Sequence, residues 1–299
     1  MRVFVTGASG WIGSHTVDEL IAAGHEVVGL ARTDTAEAAL KARHALVLRG
    51  DLDDLEALRR GATEADAVVH LANKHDWTDM AGTNRAERTA VQTLGDALAG
   101  TGRPLVVAAG VAGLAQGRPA TEDDPNPHVG PDAPRGGTEN LALGYGDRGV
   151  RSIAARFAPT THGAGDHGFI ALIVAAARRT GVAAYVGDGT NAWSAVHVTD
   201  AARLLRLAVE RAPAGTRLHA VAEEAVPTRA VAEAIGEVLG VPTASIAPEQ
   251  AIEHFGGFVG GFYAQDLRAS SAATRAAFDW TPTGPGLLDD IRAGGYTAA

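Results

Sequence analysis

Thr6-Gly7-Ala8-Ser9-Gly10-Trp11-Ile12-Gly13 decides the fold reading. The stretch follows an apolar run, Val3 to Thr6, and opens a segment of helical length, Ile12 to Ala23. In a strand-turn-helix of this kind the first glycine permits a tight turn, the second lets the backbone approach a pyrophosphate, and the third lets helix and strand pack closely. The N–H groups of the helix start then face the anion. Gly7, Ser9, Gly10, Trp11, Ile12 and Gly13 are therefore candidate contacts of a bound dinucleotide. A P-loop needs a lysine after its last glycine, and Ser14 stands there, which disfavours nucleoside triphosphate hydrolysis.

Outward from the turn, short β-branched runs alternate with Ala- and Leu-rich segments. They are Glu26 to Ala31, Thr35 to Arg43, Ala45 to Leu48, Asp53 to Arg60, Ala67 to Leu71, Arg85 to Leu98, Pro104 to Ala108 and Arg151 to Phe157. This alternation predicts βαβ units in one parallel sheet. The fold class is α/β, a Rossmann-type doubly wound parallel sheet with a smaller C-terminal substrate domain. Residues 1–157 and 188–212 are assigned to the dinucleotide-binding domain, and 158–187 with 213–299 to the substrate-binding region. Residues 117–137, rich in Pro, Asp and Gly, read as an irregular loop leading into a helix at about 137–145. Further helices are expected at Phe169 to Arg179, Thr199 to Arg211 and Thr228 to Leu239, with two brief strands around Gly187-Asp188-Gly189. The glycine-aromatic cluster Phe255 to Tyr263 reads either as a flexible lid or as a dimer contact.

The second strand ends Leu30-Ala31-Arg32-Thr33-Asp34. Arg32 is the charge that an adenosine 2′-phosphate pairs with, pointing to NADP(H); the alternative is a solvated Arg32, with Asp34 bonding the ribose. Asp51 and Leu52 after the third strand, and Leu71, Ala72 and Asn73 after the fourth, lie where the ligand crevice of such sheets opens.

The chain has 299 residues, 26 basic against 35 acidic, a formal charge of -9 and no cysteine. That balance repels phosphate backbones and anionic headgroups, so neither nucleic acid nor a membrane is an expected partner. Disulfides and thiolate metal sites are excluded. The apolar start is too short for a signal peptide, and the longest apolar stretches fall short of the roughly 20 residues of a membrane span. A cytoplasmic location is the default expectation.

The first turn, Gly50-Asp51-Leu52, Val69-His70-Leu71-Ala72, Arg156-Phe157-Ala158-Pro159-Thr160-Thr161-His162-Gly163 and Val196-His197-Val198-Thr199-Asp200-Ala201-Ala202 together resemble the extended and atypical short-chain dehydrogenase/reductases. That group includes nucleotide-sugar epimerases. The resemblance covers nearly the whole chain. It implies a nicotinamide ring near Ala158, Pro159 and Thr160, substrate-side residues around Trp193, and a homodimer.

The family's usual relay is a Ser or Thr with a Tyr-x-x-x-Lys pair. Here the only lysines are Lys41 and Lys74, no serine occurs between Ser14 and Ser152, and the strand end that should carry the hydroxyl reads Val107-Ala108-Ala109-Gly110. Alignment on Glu139 puts Arg135 at the lysine position and Pro131 at the tyrosine position. Arg135 is a candidate ligand of the nicotinamide ribose and a candidate active-site group, but no proton donor. His75, in Asn73-Lys74-His75-Asp76-Trp77, is the first candidate acid, with a cation and an acid beside it. His128, His162, His167 and Tyr145 are weaker candidates. Trp77, His162, His167 and Trp193 are candidate substrate contacts, Trp193 being equally readable as a packing aromatic. No metal is expected, because no histidine or carboxylate spacing fits a ligand set. The expected function is an NADPH-dependent reductase of a small carbonyl or imine substrate. A nucleotide-sugar epimerase or dehydratase and a non-catalytic NADP(H)-binding sensor or scaffold are the alternatives.

Overall fold

A computed structural model describes residues 1–76 and 78–296. The first half runs β1 (Arg2–Thr6), α1 (Trp11–Ala22), β2 (Glu26–Ala31), α2 (Asp34–Ala42), β3 (Leu46–Arg49), α3 (Leu55–Glu64), β4 (Ala67–His70), α4 (Met80–Leu98) and β5 (Pro104–Gly110). Next come α5 (Thr138–Gly144), β6 (Arg151–Phe157), β7 (Thr160–His162), α6 (Phe169–Thr180), β8 (Ala183–Val186), β9 (Ala192–His197), α7 (Val198–Arg211) and β10 (Thr216–Ala220). The chain closes with β11 (Glu223–Pro227), α8 (Thr228–Leu239), β12 (Thr243–Ile246), α9 (Ala251–Phe255), α10 (Gly257–Tyr263), α11 (Ala272–Phe278) and α12 (Leu287–Arg292).

Seven strands form one sheet in the order β10-β6-β5-β4-β1-β2-β3. β1 pairs in parallel with β2 and β4, and β2–β3 and β4–β5 are parallel too. Val3, Phe4 and Val5 are wholly buried, as a central strand covered on both faces requires. Helix starts are fixed locally: Thr33 caps α2, Asp54 caps α3 and Asp79 caps α4, each accepting a backbone N–H from the first turn. β1 and β4 are neighbours although consecutive strands leave β1 in the other direction. Their carboxyl ends, Thr6 and His70, therefore mark the switch point where such sheets bind ligands.

The chain divides into two compact units. The first comprises Met1–Ala109, Pro125–Arg156 and Ala201–Leu218; the second comprises Gly110–Asp124, Phe157–Asp200 and His219–Ala299. Residues 110–124, 157 and 188–200, expected in the dinucleotide-binding domain, thus fall in the second unit, and 213–218, expected in the substrate-binding region, fall in the first. The cause is strand pairing: β9 joins β7 and β11 in a separate three-stranded sheet, and Ala120 bridges Ala269.

The core of the first unit gathers Phe4, Val68, Leu94, Leu98, Leu105 and Val107. That of the second gathers Ile173, Trp193, Ile235, Phe255 and Tyr263. The glycine-aromatic cluster forms two short helices, α9 and α10, that send Phe255, Val259 and Tyr263 into this core. Gly260 allows it, since a Cβ there would stand 2.4 Å from the Ala251 carbonyl oxygen. Among the described residues no helix is long and apolar enough to cross a membrane.

Candidate functional site

The turn after β1 is built by close approach. Gly7 adopts φ 67° and a Cβ there would lie 2.8 Å from the Ala72 nitrogen, while a Cβ on Gly13 would lie 2.0 Å from the Gly7 oxygen. These two glycines let the turn, α1 and the end of β4 meet. Gly10 starts α1 without a side-chain cap, and the first turn carries no acid. A helix start leaves backbone N–H groups without intrahelical partners, so this end suits the pyrophosphate of a dinucleotide.

At the end of β2, Arg32 is exposed and makes no ion pair or side-chain hydrogen bond among the described residues. Thr33 is spent on capping α2, and Asp34 pairs with Arg49 at 3.1 Å. Asp51 Oδ1 accepts the N–H groups of Asp53 and Asp54 at 2.9 and 3.1 Å, closing its own loop. Leu52 turns its side chain into the core. Leu71 and Ala72 are half-buried against the Gly7 turn.

The end of β4 holds an ionic hub. Glu87 of α4 is 2% exposed, and its carboxylate receives Arg135 Nη2 at 2.5 Å and Nε at 3.2 Å, Asn73 Nδ2 at 2.7 Å and Thr138 Oγ1 at 3.5 Å. Arg135, Gly136 and Gly137 are successively left-handed, at φ 55°, 64° and 60°. Below the hub lies His70, 2% exposed, with Nδ1 2.8 Å from Thr6 Oγ1 and Nε2 without a hydrogen-bond partner among the described residues. Burial, helped by the Arg135 charge, pushes the imidazole down to about 4.

Residues 3–221 match the model of the NAD dependent epimerase/dehydratase family. The chain belongs to that family. An uncharacterized protein of Saccharomyces cerevisiae is 43% identical over 98% of this chain and 98% of its own. The 4-hydroxy-2-methyl-3-oxo-4-farnesyl-3,4-dihydroquinoline-1-oxide ketoreductase of Stigmatella aurantiaca is 30% identical over 72% of this chain and 66% of its own. Among solved structures, MoeE5 in complex with UDP-glucuronic acid and NAD is 27% identical, with a TM-score of 0.73 over 97% of this chain and 96% of that one. The epimerase/dehydratase fold, an oxidoreductase of this class and a nicotinamide dinucleotide cofactor follow.

Within this epimerase/dehydratase frame, the first unit's only tyrosine does structural work. Tyr145 is 6% exposed, donates to Asp96 Oδ1 at 2.9 Å, and fills the notch that a Cβ on Gly95 would occupy. Burial raises its pKa further. His75 is exposed at φ 50° and donates its N–H to Asn73 Oδ1 at 2.8 Å. Its expected charged neighbours are engaged elsewhere: Lys74 holds Asp53 at 2.6 Å, and Asp76 binds Thr78 and Asp79, with the Thr78 hydroxyl keeping its carboxyl below the usual range. His128 belongs to the loop before α5, with its carbonyl accepting Asn140 Nδ2. Trp77 lies outside the described residues.

In the second unit, Ala158 is buried and donates its N–H to the Ala220 carbonyl; Pro159 is half-buried. Thr160 is 2% exposed, with Oγ1 unpartnered among the described residues. His167 is exposed beside Asp166, which accepts the Tyr296 hydroxyl at 2.9 Å. Two of the candidate substrate contacts are buried. Trp193 is 2% exposed among Phe169, Phe262 and Tyr263, with its indole N–H on the Gln265 carbonyl, in a strand buried from Ala192 to Val196. His162 is wholly buried, with Nδ1 2.6 Å from Asp290 Oδ2 and Nε2 3.8 Å from Glu223. Burial lowers its pKa against the pull of Asp290, and burial raises that of Glu223. Among the described residues no group of three or more histidines or carboxylates is arranged to hold a metal ion.

The sequence reading passed over Glu87 and His70. Glu87 had a signal: it falls in the helical stripe Thr83, Glu87, Ala90, Val91, Leu94, Leu98, otherwise apolar or small and buried.

Proposed function

We propose that the chain is an NADP(H)-linked reductase of a small carbonyl or imine compound that works without a Tyr-x-x-x-Lys pair. The observation that carries this is Arg32, exposed at the end of β2 with no ion pair or side-chain hydrogen bond among the described residues, together with the uncapped, acid-free α1 N-terminus. In this reading Ser9, Gly10, Trp11, Ile12 and Gly13 bind the pyrophosphate, Arg32 pairs with the adenosine 2′-phosphate, and Asn73 with Arg135 hold the nicotinamide-side ribose. Ala158, Pro159 and Thr160 are assigned to the nicotinamide ring from the family pattern. When bound, the nicotinamide supplies the hydride. His75, held at the mouth of the crevice by Asn73, delivers the proton directly or through water. An iminium substrate already carries the charge that protonation creates and needs no protein acid. The ketoreductase among the relatives supports a carbonyl.

The UDP-glucuronic acid and NAD bound to MoeE5 favour a second reading, a nucleotide-sugar epimerase or dehydratase. That chemistry starts by taking a hydroxyl proton, and the sequence offers no Tyr-x-x-x-Lys pair for it.

Fluorescence titration with NADPH and NADH, followed by aldehydes, ketones, imines and UDP-sugars in the same cuvette, tests both. NADPH is expected to bind at least about tenfold tighter than NADH, a ratio that Arg32→Ala removes, as one charge-assisted contact predicts. Oxidation of NADPH by a carbonyl or imine supports the reductase; turnover of a UDP-sugar alone replaces it with the second reading. Binding without turnover makes the chain a sensor, and preference for NADH removes the role given to Arg32.

A further inference from the structure

A carboxylate in the buried stripe of a helix has to be compensated, because burying an unpaired charge is costly. Glu87 of α4 is compensated from three separate segments: Asn73 after β4, Arg135 in the left-handed turn, and Thr138 at the start of α5. Arg135 approaches as a fork, with Nε and Nη2 on the two carboxylate oxygens, a geometry that fixes the plane of the guanidinium as well as its position. The turn that carries it is unusual for an arginine. A non-glycine residue persists at positive φ only when its surroundings over-determine it. Here Glu87 holds the side chain from one side and Arg88 Nη1 holds the Gly136 carbonyl at 2.7 Å from the other. Arg135 is nonetheless 41% exposed along its side chain, so the ion pair with Glu87 leaves part of that side chain accessible. Asn73 stands on the same carboxylate with its second amide hydrogen still to be used.

We infer that Glu87 is the positioning residue of the first unit's crevice: it sets Arg135 and Asn73 side by side, charge-compensated, as a pair of donors for the hydroxyl oxygens of a ribose. The inference rests on the proposed dinucleotide binding and adds to it the residue that arranges its nicotinamide-side half. Charge compensation is part of the device. An arginine already neutralised by Glu87 donates hydrogen bonds to neutral hydroxyls without drawing the pyrophosphate away from the α1 N-terminus. Glu87 itself touches no ligand.

Two ligands separate positioning from general support. NADPH spans the whole crevice, whereas adenosine 2′,5′-bisphosphate carries only the adenine half. Glu87→Gln, in the full chain, is expected to raise the Kd for NADPH about tenfold or more and to leave that for adenosine 2′,5′-bisphosphate unchanged. Arg135→Gln should do the same, and the double variant should be no weaker than either single one, since the two act as a unit. If Glu87→Gln does not fold, Asn73→Ala, which leaves the ion pair standing, is expected to weaken NADPH selectively. Unchanged NADPH affinity in these variants overturns the inference and leaves the dinucleotide reading intact. A parallel loss of both ligands makes Glu87 a packing residue and also overturns it. Failure of the unaltered chain to bind either ligand removes the reading on which it rests.

Discussion

His70 at the end of β4 and His162 at the end of β7 are equally shut away, at 2% and 0% exposure, and each leaves Nε2 without a hydrogen bond among the described residues. Their neighbours differ. His70 faces the Thr6 hydroxyl and feels a cation, Arg135; His162 is bonded to Asp290, lies 3.8 Å from Glu223 and packs edge-on against His197. Burial lowers both pKa values. In the first unit the neighbouring charge adds to that effect, and in the second Asp290 opposes it. The lesson is that desolvation sets the direction for a buried histidine and the nearest charge sets how far it goes. His70 is thereby a neutral fixture of the crevice, while the Asp290 carboxylate works against the lowering at His162.

The largest effect expected from this contrast is on stability against pH. An unfolded histidine titrates near 6.5 and native His70 at about 4. Between those values the unfolded chain binds a proton that the native chain refuses, so stability rises with pH across the window and the gain is complete above about 6.5. A shift of that size corresponds to about 3 kcal/mol. Urea unfolding at pH 4.5 and pH 7 should show this difference shrink by about that amount in His70→Gln; an unchanged slope would break the contrast.

Next in size is Asp290→Asn. It removes the group that holds His162 up, so the His162 pKa falls further, and the lost charge-assisted hydrogen bond costs about 2 kcal/mol. Titration of the His162 ring protons by NMR, with a urea melt at pH 7, reads both. The smallest effect belongs to Arg135→Gln. With the cation gone, the His70 pKa rises but stays below its ordinary value, because burial is the larger cause. A ring-proton titration showing no rise would mean that burial alone sets His70.

Much of the first unit was legible because its signals are local. The bounds of β2 and β6 coincide with the apolar runs that predict them, and the glycine turn is recognisable by its place between β1 and α1. α4 starts at Met80, ahead of the expected Arg85, because the cap that begins it is Asp79. The hub was not legible. Glu87 meets residues 14 and 48 positions away, through a left-handed turn that nothing about an arginine announces. Trp193 reads equally as a substrate contact or a packing aromatic, and His162 reads as a candidate substrate contact. Which way they face depends on the β7-β9-β11 sheet, and pairings across that distance leave no periodic trace in the sequence.

The left-handed run at 135–137 also limits what could be rebuilt here. A tyrosine and a lysine four positions apart meet only when both sit on one helix face. Pro131 lies in a turn and Arg135 at φ 55°, and α5 begins only at Thr138. Installing the family's missing pair with Pro131→Tyr and Arg135→Lys would therefore place both side chains on a backbone that cannot aim them at each other. Recovering that relay is a problem of adding a helical turn before α5, and point substitutions alone do not solve it.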